Sequence, residues 1–157
     1  MRMLAGFLLA LWLIAGLVLT LEPAHPLAGQ VVDDNLVPFH TLSIYLANLC
    51  SWFWMRNLLG NLALLLPVGL LGPIALPALD RWWRIALVAL LVSTAIELTQ
   101  LLVPDRSADI DDVIVNVGGA LLGYTGFRLL STLFRTKEVR EEVPTPEASG
   151  TSPSERG

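Results

Sequence analysis

From residue 3 to residue 21 the chain reads MLAGFLLALWLIAGLVLTL, without one charged side chain. About 20 consecutive apolar residues span the hydrocarbon core of a bilayer. A block of this kind restricts the chain to a membrane setting more strongly than any other feature. The remaining composition agrees. The 157 residues are 54% hydrophobic and only 15% charged, against about 25% charge in ordinary soluble domains. The rival reading of the first block is a cleaved signal peptide. The apolar run is longer than the usual hydrophobic region of such peptides. In addition, Glu22-Pro23-Ala24-His25-Pro26-Leu27-Ala28 offers no clean small-x-small cleavage site. A retained helix is expected.

Three further blocks follow, at about residues 57–76, 85–103 and 112–134. The second contains Pro67, Gly69, Gly72 and Pro73, which membrane helices tolerate when neighbours re-satisfy the backbone. A kink is expected near Pro67. Between the first two blocks lies a mixed loop, with a turn at Asp33-Asp34-Asn35-Leu36-Val37-Pro38-Phe39. After it, residues 40–55 carry Tyr45, Trp52, Phe53 and Trp54 with no charge. That stretch is too short to span comfortably, and its aromatics favour the headgroup level, so an interfacial or re-entrant helix is expected. The turn at residues 77–84, with two arginines and two tryptophans, marks a second water interface. The fold class expected is all-α: a polytopic membrane bundle of four transmembrane helices plus the interfacial or re-entrant helix. It occupies residues 1–134. Residues 135–157, charged and then rich in proline, serine, glycine and glutamate, are expected to form a disordered cytoplasmic tail.

With four spans, both termini lie on one side. Arg2, Arg81, Arg84, Arg128, Arg135, Lys137, Arg140 and Arg156 share that side, eight of the ten basic residues. The positive-inside rule makes it the cytoplasm. The start of block two, the end of block three and the start of block four then meet at the outer face. Arg56, Asn57, Asn61, Glu97, Gln100, Arg106, Asp109, Asp112 and Asn116 converge on one depth.

Their spacing refines this. Asp109, Asp112 and Asn116 fall at i, i+3 and i+7, one face of a helix beginning near Ala108. The face continues through Gly119 and Gly123, a pair that lets another helix approach closely. Asp111 is expected to point elsewhere, into water. Capping of a helix start accounts for Asp109 or Asp111 alone, but not for Asn116, which is about two turns in. Glu97 and Gln100 share a face at i, i+3, with Ser93 one turn below. Glu97 sits beneath the headgroups, where a lone carboxylate is costly. Arg106 is its nearest partner by sequence, and a Glu97–Arg106 tie that merely closes the helix pair is the structural alternative. Asn57 and Asn61, at i, i+4 beside Arg56, suit either an interhelical hydrogen bond or a site. Arg56 and Arg106 can clamp a phosphate or carboxylate. The carboxylates can act as acid and base, or hold an oxygen-liking divalent cation such as Mg²⁺, although no spacing specifies a metal. His25 and His40 are isolated and read as loop or interface residues. Cys50 is the only cysteine, which excludes an internal disulfide and a cysteine-based metal site. No glycine-rich nucleotide loop and no basic helix points to nucleic acid.

Taken in order, Asn35-Leu36-Val37-Pro38-Phe39, Asn57-Leu58-Leu59-Gly60-Asn61 running into Pro67-Val68-Gly69, Glu97-Leu98-Thr99-Gln100, and Arg106-Ser107-Ala108-Asp109-Ile110-Asp111-Asp112-Val113-Ile114-Val115-Asn116-Val117-Gly118-Gly119 resemble the VanZ-like family. The resemblance covers about residues 3–134. It implies a small polytopic bacterial membrane protein, of a family named for a member that gives resistance to teicoplanin-type glycopeptide antibiotics. The family's polar positions correspond to Asn35, Asn61, Glu97, Gln100, Arg106, Asp109, Asp112, Asn116 and Gly119.

Two functions of different class follow. In the first, the chain is an enzyme acting on a lipid-linked cell-envelope precursor, a lipid headgroup or a glycolipid. Glu97, Asp109 and Asp112 do the proton transfer, with a divalent cation as an option. Arg56, Asn57, Asn61, Gln100, Arg106 and Asn116 bind the substrate. In the second, the same cluster binds a surface ligand, lipid or partner membrane protein without turning it over. The residues leave open whether the chain is an enzyme. A solute conduit is disfavoured, because the cytoplasmic half of blocks two to four carries no charge other than Arg128 near its end.

Overall fold

A computed structural model describes residues 1–20, 34–103 and 107–141 of the chain. Five α-helices form among them: α1 (Arg2–Thr20), α2 (His40–Ala47), α3 (Trp52–Ala75), α4 (Trp82–Gln100) and α5 (Ile110–Glu141). A single 3-10 turn, Pro77–Leu79, joins α3 to α4. No strand occurs among the described residues; the one extended pairing is an isolated parallel bridge between Asn35 and Asp109. Four helices, α1, α3, α4 and the stretch Ile110–Phe134 of α5, are long and apolar enough to cross a membrane. The expected all-α bundle of four spans plus a short extra helix is the architecture observed, and the chain is a multi-pass membrane protein.

The element boundaries differ from expectation in ways the local chemistry explains. The uncharged stretch 40–55 does not form one interfacial helix. Its first half is α2, which stops at Ala47. Asn48 ends it: its side-chain amide donates to the Ile44 carbonyl at 2.8 Å, competing with the next helical turn. The second half, from Trp52, is already the first turn of α3. Likewise α4 starts at Trp82, because the Arg81 carbonyl accepts the Arg84 and Ile85 N–H groups and opens the helix at once. Both tryptophans therefore belong to the helix rather than to the turn before it. α5 continues to Glu141, past the expected end of the bundle at residue 134. The rest of the expected tail, and His25 in the first loop, lie outside the described residues.

Helix α5 lies against α3 more closely than side chains normally allow. A Cβ at Gly119 would run into the Leu62 carbonyl, and one at Gly123 into the Leu66 carbonyl. Gly69 answers from α3, where a Cβ would strike the Ala120 carbonyl. The small-residue face expected at Gly119 and Gly123 is thus matched by a third glycine on the partner. Without a hydrophobic drive between helices in lipid, this close packing is what can hold them together. α3 runs unbroken through Pro67 and Pro73. The buried core is Leu64, Leu65, Val68, Ile85, Ala89, Ile96 and Ala120, drawn from α3, α4 and α5. α1 joins through the Trp12 indole, which donates to the Leu64 carbonyl at 3.0 Å. The outward faces carry large apolar side chains such as Phe7, Ile14, Leu91 and Leu122, as lipid contact requires.

The connections sort the bundle into two ends. At one, the last turns of α1 and α4 meet, where the Gln100 side chain donates to the Thr20 carbonyl at 3.1 Å. The starts of α3 and α5 lie there too. At the other end sit the α3–α4 turn and, across from it, Arg128 of α5.

Candidate functional site

The polar end is built on two loops that clip together. The Asn35 N–H donates to the Ala108 carbonyl at 2.9 Å, and the Ile110 N–H to the Asn35 carbonyl at 3.0 Å. The Asn35 side chain secures the clip, with Nδ2 within 2.9 Å of both Asp109 Oδ1 and Thr41 Oγ1. The Asp34 carboxylate accepts the Ala108 N–H at 3.0 Å. Asparagine suits this place because one amide offers donors and an acceptor at once.

This clip sets the start of α5. Asp109 Oδ1 accepts the Asp111 N–H at 2.8 Å, a side-chain cap on the first turn. The Asp109 N–H donates in turn to Glu97 Oε2 at 2.9 Å. So Glu97, buried on α4, is tied to the α5 cap, which answers part of the cost of a carboxylate below the headgroups. Its expected partner Arg106 lies outside the described residues.

Asp111 corrects an expectation. It does not face water; it is fully buried. Its two oxygens accept the Phe39 N–H at 2.5 Å and the Leu42 N–H at 3.0 Å. These are donors at the start of α2 that have no partner within that helix. Asp111 therefore caps another helix across the bundle, and burial follows because α2 covers it. Phe39, with φ at 68°, holds a left-handed backbone rare for a bulky residue.

One residue later, Asp112 looks into the bundle. Asn61 of α3 donates its side-chain amide to Asp112 Oδ1. The Tyr45 hydroxyl of α2 donates to the same carboxylate. Burial first, and then the Asp112 carboxylate, push the Tyr45 phenol well above the ordinary tyrosine range, so it stays a donor. Tyr45 is buried, and reading the sequence places it only among the interfacial aromatics. A turn further along α5, Asn116 is fully buried and donates from Nδ2 to Ser93 Oγ of α4 at 2.8 Å. Its Oδ1 is buried with no hydrogen-bond partner among the described residues, and such an acceptor is costly to leave bare.

The expected site residues therefore divide. Glu97, Asp112, Asn61 and Asn116, on three helices, gather at one end of the bundle with Asp109, which immediately precedes α5. Gln100 lies at the same end but turns to the α1 terminus. Arg56 is exposed and Asn57 half-buried near the start of α3, and neither side chain has a hydrogen bond or ion pair among the described residues. The expected alignment of Asp109, Asp112 and Asn116 on one helix face is resolved into three roles: a cap just before α5, a centre in its first turn and a deeper amide. The arrangement offers a carboxylate flanked by a phenol and an amide, able to exchange a proton or bind a hydroxyl-rich head. Among the described residues, no three histidine, cysteine or carboxylate side chains are placed to hold a metal ion.

No curated protein and no solved structure matches the chain. The VanZ/LLP1 family model matches residues 6–131, taking in all four apolar blocks and the polar end just described. The chain belongs to the VanZ/LLP1 family.

Proposed function

We propose that this membrane protein engages the polar head of a cell-envelope lipid or lipid-linked precursor at the outer face of a bacterial cytoplasmic membrane. Modifying that head is the route by which it would lower susceptibility to teicoplanin-type glycopeptides, the role from which the family takes its name. The observation that carries the reading is Asp112. It is a carboxylate in a span of α5, met by Asn61 from α3 and Tyr45 from α2. An ionisable group at such a place, costly in lipid, is by default functional. In this reading Asp112 takes or gives a proton, Tyr45 and Asn61 orient it, and Glu97 is a second acid or base. Arg56 and Arg106 hold the anionic part of the head, and Asn116 Oδ1 accepts from a hydroxyl or water. The outer placement rests on the basic residues, eight of ten of which then lie on the side of the termini.

A second reading is a binder without turnover. It is favoured by the way Glu97, Asp109 and Asp111 each accept a backbone N–H. Carboxylates used in this way shape a surface rather than move protons. The test is a lipid and cell-wall-precursor profile of cells with the gene, without it, and with Asp112→Asn. A species that changes with the gene and reverts with Asp112→Asn supports the enzyme. An unchanged profile, with saturable binding of such a lipid to purified protein and Asp112→Glu tolerated, supports the binder. An unchanged profile with no binding ends both.

A further inference from the structure

The end of the bundle remote from Asp112 carries a second feature, independent of the reading above. The α3–α4 turn and the facing part of α5 enclose an open cleft of about 380 Å³, lined by Asp80, Arg81, Trp82, Trp83, Tyr124 and Arg128. Its charges are not balanced. Asp80 is answered twice: Arg128 Nη1 lies 3.2 Å from its Oδ1, and the Tyr124 hydroxyl donates to the same oxygen at 3.2 Å. Arg128 is therefore a fixed wall of the cleft rather than a spare cation. Arg81 is exposed, and its guanidinium has no hydrogen bond or ion pair among the described residues. Arg84, on the next part of the helix, is held in place without being neutralised. Its Nη1 donates to the Ala78 carbonyl at 2.5 Å, and its guanidinium stands 5.1 Å from the Trp83 ring centre. One uncancelled positive charge, Arg81, thus lines the cleft, and a second, Arg84, stands beside its Trp83 wall. Trp82 and Trp83, which follow Arg81 at the start of α4 and line the cleft, are 62% and 45% exposed.

We propose that this cleft binds the phosphodiester headgroup of an anionic phospholipid. Arg81 takes the phosphate oxygens, a role that suits the forked guanidinium, and Arg84 adds its positive charge from beside Trp83. The exposed tryptophan faces seat the glycerol and upper acyl carbons, since an indole is favoured where one side is wet and the other apolar. Free phosphate would use only the arginines. The tryptophans at the start of a spanning helix commit the site to a lipid.

The full chain, held in detergent micelles, would be offered an equal mixture of phosphatidylglycerol and phosphatidylcholine, and the retained lipids counted by native mass spectrometry. The expected result is a preference for phosphatidylglycerol that Arg81→Gln lowers about fivefold. Arg81→Lys keeps most of it. Arg2→Gln, which removes a charge from the first turn of α1 at the same end of the bundle, leaves it unchanged. Thermal melting of each variant checks that it folds, and Arg81 is exposed enough to be replaced without harm. Equal retention of the two lipids by the unaltered protein overturns the proposal. So do equal losses from Arg2→Gln and Arg81→Gln, which would mean a diffuse positive surface. Displacement of the lipid by inorganic phosphate alone overturns it as well.

Discussion

The Phe39 N–H and the Asp111 carboxylate meet at 2.5 Å although 72 positions separate them. With the second bond, from Leu42 N at 3.0 Å, this contact fastens α2 onto the start of α5. Removing the carboxylate leaves two donors at the start of a helix without their acceptor. Each such buried group costs about 1–3 kcal/mol. Asp111→Ala should therefore destabilise the protein by roughly 2–4 kcal/mol, read as a lower melting temperature in detergent, and Asp111→Asn by less. It should also free Tyr45 from Asp112, because both rest on the seating of α2. Melting unchanged in Asp111→Ala would mean that α2 is held by other contacts.

Asp111 also marks where reading the sequence ends. The four apolar blocks, the glycine face of α5 and the shared depth of Asn61, Glu97, Asp112 and Asn116 are all side-chain properties with a period or a position. They can be read along the chain. The partners of Asp111 are backbone N–H groups of a distant loop, and backbone groups carry no mark in a sequence. The same holds for Glu97, whose oxygen takes the Asp109 N–H. Tyr45 is missed for a related reason: α2, which carries it, is seated on α5 through the backbone N–H groups of Phe39 and Leu42, and that seating leaves no mark in the sequence. Capping is the simplest reading of Asp109, and it coexists with the links that Asp109 makes to Asn35 and Glu97.

The α3–α5 contact gives a sharper test of the packing. Gly119 meets the Leu62 carbonyl, whereas its neighbour Gly118 has nothing within 4 Å of an added Cβ. Gly119→Ala forces two backbones apart and should cost about 1–3 kcal/mol, as overpacking usually does. Gly118→Ala adds a methyl group to open space and should gain up to about 1 kcal/mol through the better helix propensity of alanine. Melting of the two single variants, side by side, decides. Equal behaviour would show that close approach is not what binds these helices.

Tyr45 sets a pH dependence whose sign follows from its environment. Its folded phenol is held above the ordinary value of 10.0, so the folded state keeps a proton that the unfolded chain gives up in alkali. The stabilisation is full below about pH 10 and is lost as pH rises beyond it. Melting temperature should fall on the alkaline side. Tyr45→Phe should flatten that fall and cost about 1.5–3 kcal/mol at neutral pH through the lost bond to a carboxylate. Absorbance of the phenolate gives an independent reading, since the part of the signal that appears only as the protein unfolds should shrink in Tyr45→Phe.

The pair of Asn116 and Ser93 separates glue from site. A hydrogen bond between membrane helices averages about 0.6 kcal/mol, so Ser93→Ala alone should lower stability only a little. Most of that loss comes from leaving the Asn116 amide without its acceptor. Replacing both partners by apolar groups of similar shape is nearly neutral in general. The double variant Ser93→Ala, Asn116→Leu should therefore melt close to the unaltered protein, and it also removes the bare Oδ1 acceptor. If that oxygen serves a ligand, the double variant stays folded while losing the envelope-lipid change or the binding that the unaltered protein confers. Retained function in a well-folded double variant would reduce Asn116 to a helix-packing residue and move the site up to Asp112, Asn61 and Tyr45.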